Sequence, residues 1–245
     1  MCSEYSIKTT QKELETTLKT QLKNMSGVHE WNQKVKMTLK APLIEMQNGD
    51  IVLTEGVFPK PPPFPNSRIS DLKINRQTGE EELVRIYDVQ AWKEGFARAP
   101  CLIPMSSFVE PVYWGHEIGK AVQFTAKDEP LLFVAGLRMI RANHPDKSKA
   151  GFSLLTHTAS PQMLDYHHRL IFLLTKEHAL DWITQDFLPT ERFDFLLKHR
   201  SIPHFKIATD RVMAKKPQAR IDEQKSKLKE EIRYVNFLKT EGILG

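Results

Sequence analysis

LLTHTASPQMLDYHHRLIFLL, residues 154–174, decides the architecture. A β-rich run over Phe152–Thr156 leads into it, Pro161 opens a short helical turn over Ser160–His167, and the apolar run Leu170–Leu174 leads out. Proline suits the first turn of a helix because the N–H it lacks has no intrahelical acceptor there. A short apolar run bounded by polar residues predicts a buried strand. At the mouth of that strand stand two imidazoles and a guanidinium, those of His167, His168 and Arg169. Strands end at surfaces, and surfaces carry such residues. The alternative is a site, and a site needs partners from elsewhere in the chain.

Working outward, strand-like runs recur at Asp50–Phe58, Cys101–Ile103, Ala121–Thr125 and Leu131–Leu137. Thr10-Gln-Lys-Glu13 is a capping box that opens a helix with Leu14, Leu18 and Leu22 on one face. The stripe Leu83, Ile86, Tyr87, Ala91 predicts a helix over Glu80–Ala97. Further helices are expected over Lys176–Gln185, Thr190–Lys198 and, strongly charged, Ala219–Lys239. The segment PKPPPFPN, residues 59–66, reads as a stiff extended loop. With no repeat and no evident linker, one α+β domain over residues 1–245 is expected. It would be β-rich, with a mixed or antiparallel, barrel-like sheet flanked by helices.

The chain carries 35 Lys+Arg against 30 Asp+Glu, and the excess sits in the tail, where twelve Lys/Arg face six Asp/Glu from Lys198 onward. Such a tail can meet nucleic acid or an anionic surface, or it can be a solvated helix face. Two cysteines, Cys2 and Cys101, make no disulfide framework, and the absence of a CxxC pair leaves no metal and no cofactor expected. No run reaches membrane-spanning length, and the first thirty residues hold no apolar signal core. An intracellular, cytoplasmic protein with free thiols and no membrane partner is the expectation.

Three stretches outside the opening one can carry chemistry. Met1-Cys2 exposes a 1,2-aminothiol once the initiator methionine is removed, as a small second residue permits. An α-amine with a pKa near ~7.7–8.0 is partly neutral in the cell and condenses with an aldehyde; the thiol can then close a five-membered ring. CLIPMSSFVEP, residues 101–111, places Glu110 after the apolar Phe108-Val109, where a carboxyl with a raised pKa can act as general acid or base. DLKINRQTGEEE, residues 71–82, offers the Asn75 amide with Arg76 beside it. Taken singly, Cys2 can be a residue on a frayed terminus, Glu110 a strand end and Asn75 a loop residue capping a helix.

Together they resemble the SRAP family (SOS-response-associated peptidase domain). Its members begin Met-Cys-Gly-Arg and continue with Trp-Gly-Leu-Ile-Pro, Asn-Ala-Arg-Ala-Glu-Thr, Cys-Leu-Ile-Pro-x-x-x-Phe-Tyr-Glu-Trp, Phe-Ala-Gly-Leu-Trp and a late His-x-Arg-Met-Pro. Met1-Cys2, EGVFP (55–59), NRQTGE (75–80), CLIPMSSFVEP (101–111), FVAGLRMI (133–140) and LLTHTASPQMLDYHHRLIFLL (154–174) follow the same order. The resemblance implies a β-rich α+β domain that captures the ring-opened sugar aldehyde of abasic sites in single-stranded DNA as a thiazolidine crosslink. Carried over by position, Cys2 is the nucleophile and Asn75 orients the amine or sugar. Glu110 moves protons, and His167 protonates the departing oxygen or the Schiff base. Arg76, Arg98 and Arg169 are the candidate DNA-contacting cations, and His168 is a spacer pointing elsewhere. A monomer is expected.

The departures cluster on the DNA side. Ser3-Glu4 replaces Gly-Arg and sets a carboxylate that would repel phosphate where a cation is expected, Glu55 and Pro111 replace tryptophans, Gln77 replaces the arginine of Asn-Ala-Arg, and Leu170-Ile171 replaces Met-Pro. Single-strand binders depend on phosphate-tracking cations and on base stacking worth ~1–3 kcal/mol per base. Three functions therefore remain open. They are active abasic-site crosslinking, a relative with weakened DNA binding (binding only, or another aldehyde), and a thiol autopeptidase that only removes Met1.

Overall fold

Thr10 and Glu13 form the expected capping box: the Thr10 side chain accepts from the Glu13 N–H, and the Glu13 carboxylate accepts from the Thr10 N–H at 2.7 Å. In this computed structural model, which describes residues 4–58, 66–139, 151–214 and 218–243, the box separates β1 (Glu4–Thr10) from α1 (Gln11–Leu18). β1 escapes a reading by composition because polar residues alternate with the fully buried Tyr5 and Ile7. There follow β2 (Lys23–Asn24), β3 (Glu30–Lys36), β4 (Lys40–Gln47), β5 (Asp50–Val57) and β6 (Asn66–Arg68). Next come β7 (Ser70–Ile74), β8 (Glu81–Arg85), α2 (Lys93–Arg98), β9 (Pro100–Met105) and β10 (Ser107–Pro111). β11 (Lys120–Ala126), β12 (Leu132–Met139), β13 (Gly151–Thr158), α3 (Pro161–Leu164), β14 (Arg169–Ile171) and β15 (Leu173–Leu174) lead to the C-terminal part. That part holds α4 (Asp181–Thr184), α5 (Pro189–Lys198), β16 (Phe205–Val212) and α6 (Gln218–Thr240).

Two sheets carry the fold. The first is antiparallel in the order β16-β11-β10-β1-β3. The second runs β14-β13-β12-β9-β4-β5-β2, with β6 beside β13 and β15 beside β12. A single parallel pair, Gly151 with Val57, brings β13 back to β5, so this sheet curls toward a ring without closing into a barrel. Gly136 in β12 permits a close approach of its neighbours. A Cβ there would lie 2.1 Å from Ile103 Cδ1 and 2.9 Å from the Ser153 carbonyl. The sheets meet at aromatic rings: Tyr5 of β1 stands edge-on to Phe58 (5.7 Å between centroids), which stacks on Phe152 of β13 (5.4 Å).

α5 and α6 form where expected, but the helix expected over Glu80–Ala97 does not. Residues 81–85 pair with β7 from Ser70↔Arg85 to Ile74↔Glu81, and only Lys93–Arg98 is α-helical. The turn from Asn75 to Gly79 decides this, with Gly79 at φ +75° and its N–H donating to the Asn75 carbonyl. Glycine reaches that region without strain, and the hairpin it closes turns Leu83 and Val84 into strand residues. The helix expected over Lys176–Gln185 likewise shortens to α4. Most of the proline-rich loop lies outside the described residues. Among the described residues no helix is long and apolar enough to cross a membrane.

Candidate active site

β10 carries Glu110 into the interior. Alternation places it on the same face as Phe108, whose ring stacks on Phe124 (5.0 Å) and meets Phe205 edge-on (5.5 Å). The carboxyl is 2% exposed, and burial pushes its pKa up. His167 arrives from the other half of the chain, where α3 ends in a tight turn: its N–H donates to the Met163 carbonyl at 2.7 Å. Its Nε2 stands 3.8 Å from Glu110 Oε2.

Arg169 holds the other ring nitrogen of His167: Nδ1 stands 3.1 Å from its backbone N–H and 3.0 Å from its carbonyl oxygen, so it accepts in one tautomer and donates in the other, and Nε2 faces Glu110 in both. Burial, with neighbouring positive charge adding to it, holds this imidazole well below its ordinary range. At neutral pH the pair is thus a neutral ring facing a carboxyl pushed toward its neutral form, within one water's reach for proton transfer.

His168 is not a spacer pointing elsewhere. It is buried, its ring lies 4.4 Å from that of His167, and burial drives its pKa down to about 2. It lines a cavity of 430 Å³ together with Arg68, Arg169 and residues of β7 and α6. Topology explains the juxtaposition. On β13, Thr156 pairs with Arg68 of β6 on one side and Thr158 with Arg169 of β14 on the other. Alternate residues of a strand share a face, so the two arginines stand over the same side of the sheet.

The remaining candidates separate. Cys2 lies outside the described residues. Asn75 sits in the β7–β8 turn with its side chain engaged there: Oδ1 accepts from the Gln77 and Thr78 N–H groups, and Nδ2 donates to Glu82. Arg76 is exposed at the same tip, and Arg98 lines a different cavity, of 770 Å³, with Glu45, Arg138 and Arg192. Of the three candidate cations only Arg169 stands beside the two histidines. Cys101 is fully buried and its thiol is pushed up, which removes it as a nucleophile. Among the described residues no group of three His, Cys, Asp or Glu could hold a metal ion.

Glu4 differs from the repelling carboxylate its position suggested. Lys34 Nζ lies 2.6 Å from it and Arg211 engages both its oxygens at 3.1 and 2.8 Å. Burial pulls its pKa up, but the hydrogen bonds from Lys34 and Arg211 outweigh this and leave it lowered.

A family profile described as SOS response associated peptidase (SRAP) matches residues 1–214. The chain belongs to the SRAP family. That description ties it, at the level of the family, to the response to DNA damage. Solved structures share the fold. A phage-related protein from Bordetella bronchiseptica superposes with a TM-score of 0.60 at 16% identity, over 87% of this chain and 100% of its own. A second Bordetella bronchiseptica protein gives 0.59 at 17%, over 86% and 100%, and a Bacteroides thetaiotaomicron protein 0.57 at 16%, over 86% and 92%. No curated protein matches.

Within the SRAP pattern, the structure offers a second candidate for the asparagine. Asn66-Ser67-Arg68 keeps the Asn-x-Arg spacing that Asn75-Arg76-Gln77 breaks. Asn66 is 7% exposed on β6, two residues before the arginine that stands over the sheet with Arg169. The signal was present in that spacing, at the end of the proline-rich loop.

Proposed function

We propose that this SRAP protein captures the ring-opened aldehyde of an abasic site in single-stranded DNA, through the aminothiol that Cys2 presents once Met1 is removed. One observation carries the reading. β1 runs antiparallel to β10 in the register Ser6↔Ser107, Tyr5↔Phe108, Glu4↔Val109, so the strand heads toward Glu110 as it approaches its first residue. Two peptide units separate Glu4 from Cys2, a reach of at most about 7 Å.

In the proposed reaction the neutral α-amine of Cys2 adds to the sugar aldehyde carbon, and loss of water leaves a Schiff base. With the Schiff base protonated, the Cys2 sulfur then adds to the iminium carbon and closes the thiazolidine; the ring nitrogen keeps an amine hydrogen, and the thiol proton passes to the carboxylate that Glu110 became on protonating the departing oxygen. Glu110 supplies the proton for the departing oxygen and recovers one on closure, a role suited to a buried carboxyl with a raised pKa. His167, with Nε2 toward Glu110, relays protons and orients that carboxyl. Asn66 takes the orienting role that the resemblance carried to Asn75, and Arg169 with Arg68 meets phosphate.

Intact mass and denaturing gels test this. Purified protein should lack Met1, and with abasic single-stranded DNA it should give an adduct that survives heating without reductant. Cys2→Ser and Cys2→Ala should give adducts trapped only by borohydride. The same heat-stable adduct from Cys2→Ala would overturn the reading. Equal DNA binding by all three proteins with nothing trapped would mark a binding-only relative, and Met1 removal without any DNA adduct would mark an autopeptidase.

A further inference from the structure

α6 lies beyond the residues that the family profile matches, yet it is not simply a solvated charged helix. Most of its surface carries charge, but Gln224, Glu231, Tyr234 and Leu238 are buried, and their spacing of seven, three and four residues lines one helix face. Glu231 and Tyr234 are each 1% exposed. A carboxylate at the most buried point of a helix must find cations.

It finds those of the SRAP domain. Arg68 Nη2 donates to Glu231 Oε1 at 2.7 Å, and the same guanidinium lies 3.9 Å from the centre of the Tyr234 ring. The Tyr234 hydroxyl meets Ser70 Oγ at 2.5 Å. Arg169 and Arg200 also feel the charge of Glu231. A carboxylate oxygen on one guanidinium N–H, beside a flat ring on the guanidinium face, presents what a nucleotide presents, an anionic oxygen and a π-surface. The cavity beside His168 and Arg169 is walled on its other side by Lys227, Glu230 and Arg233 of the same helix.

The attachment is modest for its length: Tyr234 and Leu238 are the fully buried apolar side chains of the helix, Ile221, Leu228, Val235 and Phe237 are half-buried, and Ile232 is 48% exposed. A buried ion pair roughly breaks even against its desolvation, so an element held this way belongs to the low-stability end of a fold. Pairs such as Glu223–Lys227 (2.6 Å) are internal to the helix and do not depend on docking.

We propose that α6 is a displaceable cover over the DNA-binding face, with Glu231 and Tyr234 occupying the places of a phosphate and a base at Arg68 and Arg169. Single-stranded DNA then binds by pushing α6 off. The proposal rests on the DNA-capture reading above.

The full-length chain tests it in two measurements with one undamaged single-stranded oligonucleotide. In fluorescence anisotropy, Glu231→Gln/Tyr234→Ala should bind about tenfold tighter than wild type, because the open state is no longer a minor population. In hydrogen exchange of wild type, α6 amides should lose protection when DNA saturates the protein. Binding by wild type with α6 protection retained or increased overturns the cover and leaves DNA capture standing. Unchanged or weaker binding by a folded double variant does the same. If the variant fails to fold, the exchange result on wild type decides alone. No binding by either protein at any concentration overturns both readings.

Discussion

Glu4 and Glu110 sit on neighbouring strands, Glu4 opposite Val109, and both are nearly inaccessible to water, yet their carboxyls are driven in opposite directions. At Glu4, Lys34 and Arg211 supply charged hydrogen bonds that outweigh desolvation. Around Glu110 an imidazole stands 3.8 Å away, and there burial prevails over the interactions that favour the charged form. Burial alone therefore does not assign a role. A buried carboxylate held by two permanent cations ties the β1 end to β3 and β16. A buried carboxyl beside a titratable ring, whose proton can move, is poised for chemistry. Glu231 combines both situations: burial raises its pKa, Arg68 and Arg169 oppose the rise, and its partners belong to another element.

Substitution should separate the two carboxyls most sharply in kinetics. Glu110→Gln keeps shape and one hydrogen-bonding oxygen but cannot exchange a proton. Crosslinking to abasic single-stranded DNA should slow about 10²–10⁴-fold with DNA affinity nearly unchanged. A rate within threefold of wild type in single-turnover assays breaks the contrast and removes Glu110 from the mechanism.

A smaller effect should appear in stability against pH. His157, His167 and His168 are buried with pKa values driven down, by burial first. Unfolding frees each ring to bind a proton at its ordinary value of 6.5, so below that pH the unfolded state holds more protons and stability falls as pH falls. Each ring contributes about 1 kcal/mol per pH unit below pH 6. Glu110 and Glu231, raised in the fold, act in the opposite sense and lose stabilising effect as pH rises through their folded values. Urea titrations from pH 7 to 5 should show the decline, and His157→Gln should flatten it by one ring's share. An unchanged slope in that variant contradicts the burial of His157.

The smallest effect belongs to the outer carboxylate. Glu4→Gln leaves Lys34 and Arg211 with Asp210 and should cost about 1 kcal/mol of stability, diminishing in high salt. Crosslinking rates should stay near wild type. Loss of crosslinking in a folded Glu4→Gln protein would place that ion-pair cluster inside the site and erase the difference from Glu110.

Local chemistry was readable directly. Thr10 and Glu13 make their capping box from residues three apart, α5 begins with Pro189 at its first turn, and β9, β12 and β13 follow apolar runs that can only be buried. The order of short motifs along the chain was enough to reach the SRAP family and to single out Glu110 and His167, which the fold brings to 3.8 Å. Whatever depended on partners distant in sequence was not readable. The Leu83–Ala91 stripe satisfies helical spacing as a list of residues, but pairing with β7 offers its backbone a hairpin closed at Gly79. Glu4 reads as a repelling charge until the fold brings Arg211 to it across the whole chain. Asn66 and Asn75 are both asparagines near an arginine, and strand pairing, not composition, puts one beside β13 and the other at a hairpin tip. The charge of α6 is plain in its composition, whereas its docking depends on the geometry around Arg68. Hydrogen bonds and charges act over a few ångströms in space, and a linear chain shows only those distances that its own turns and caps fix.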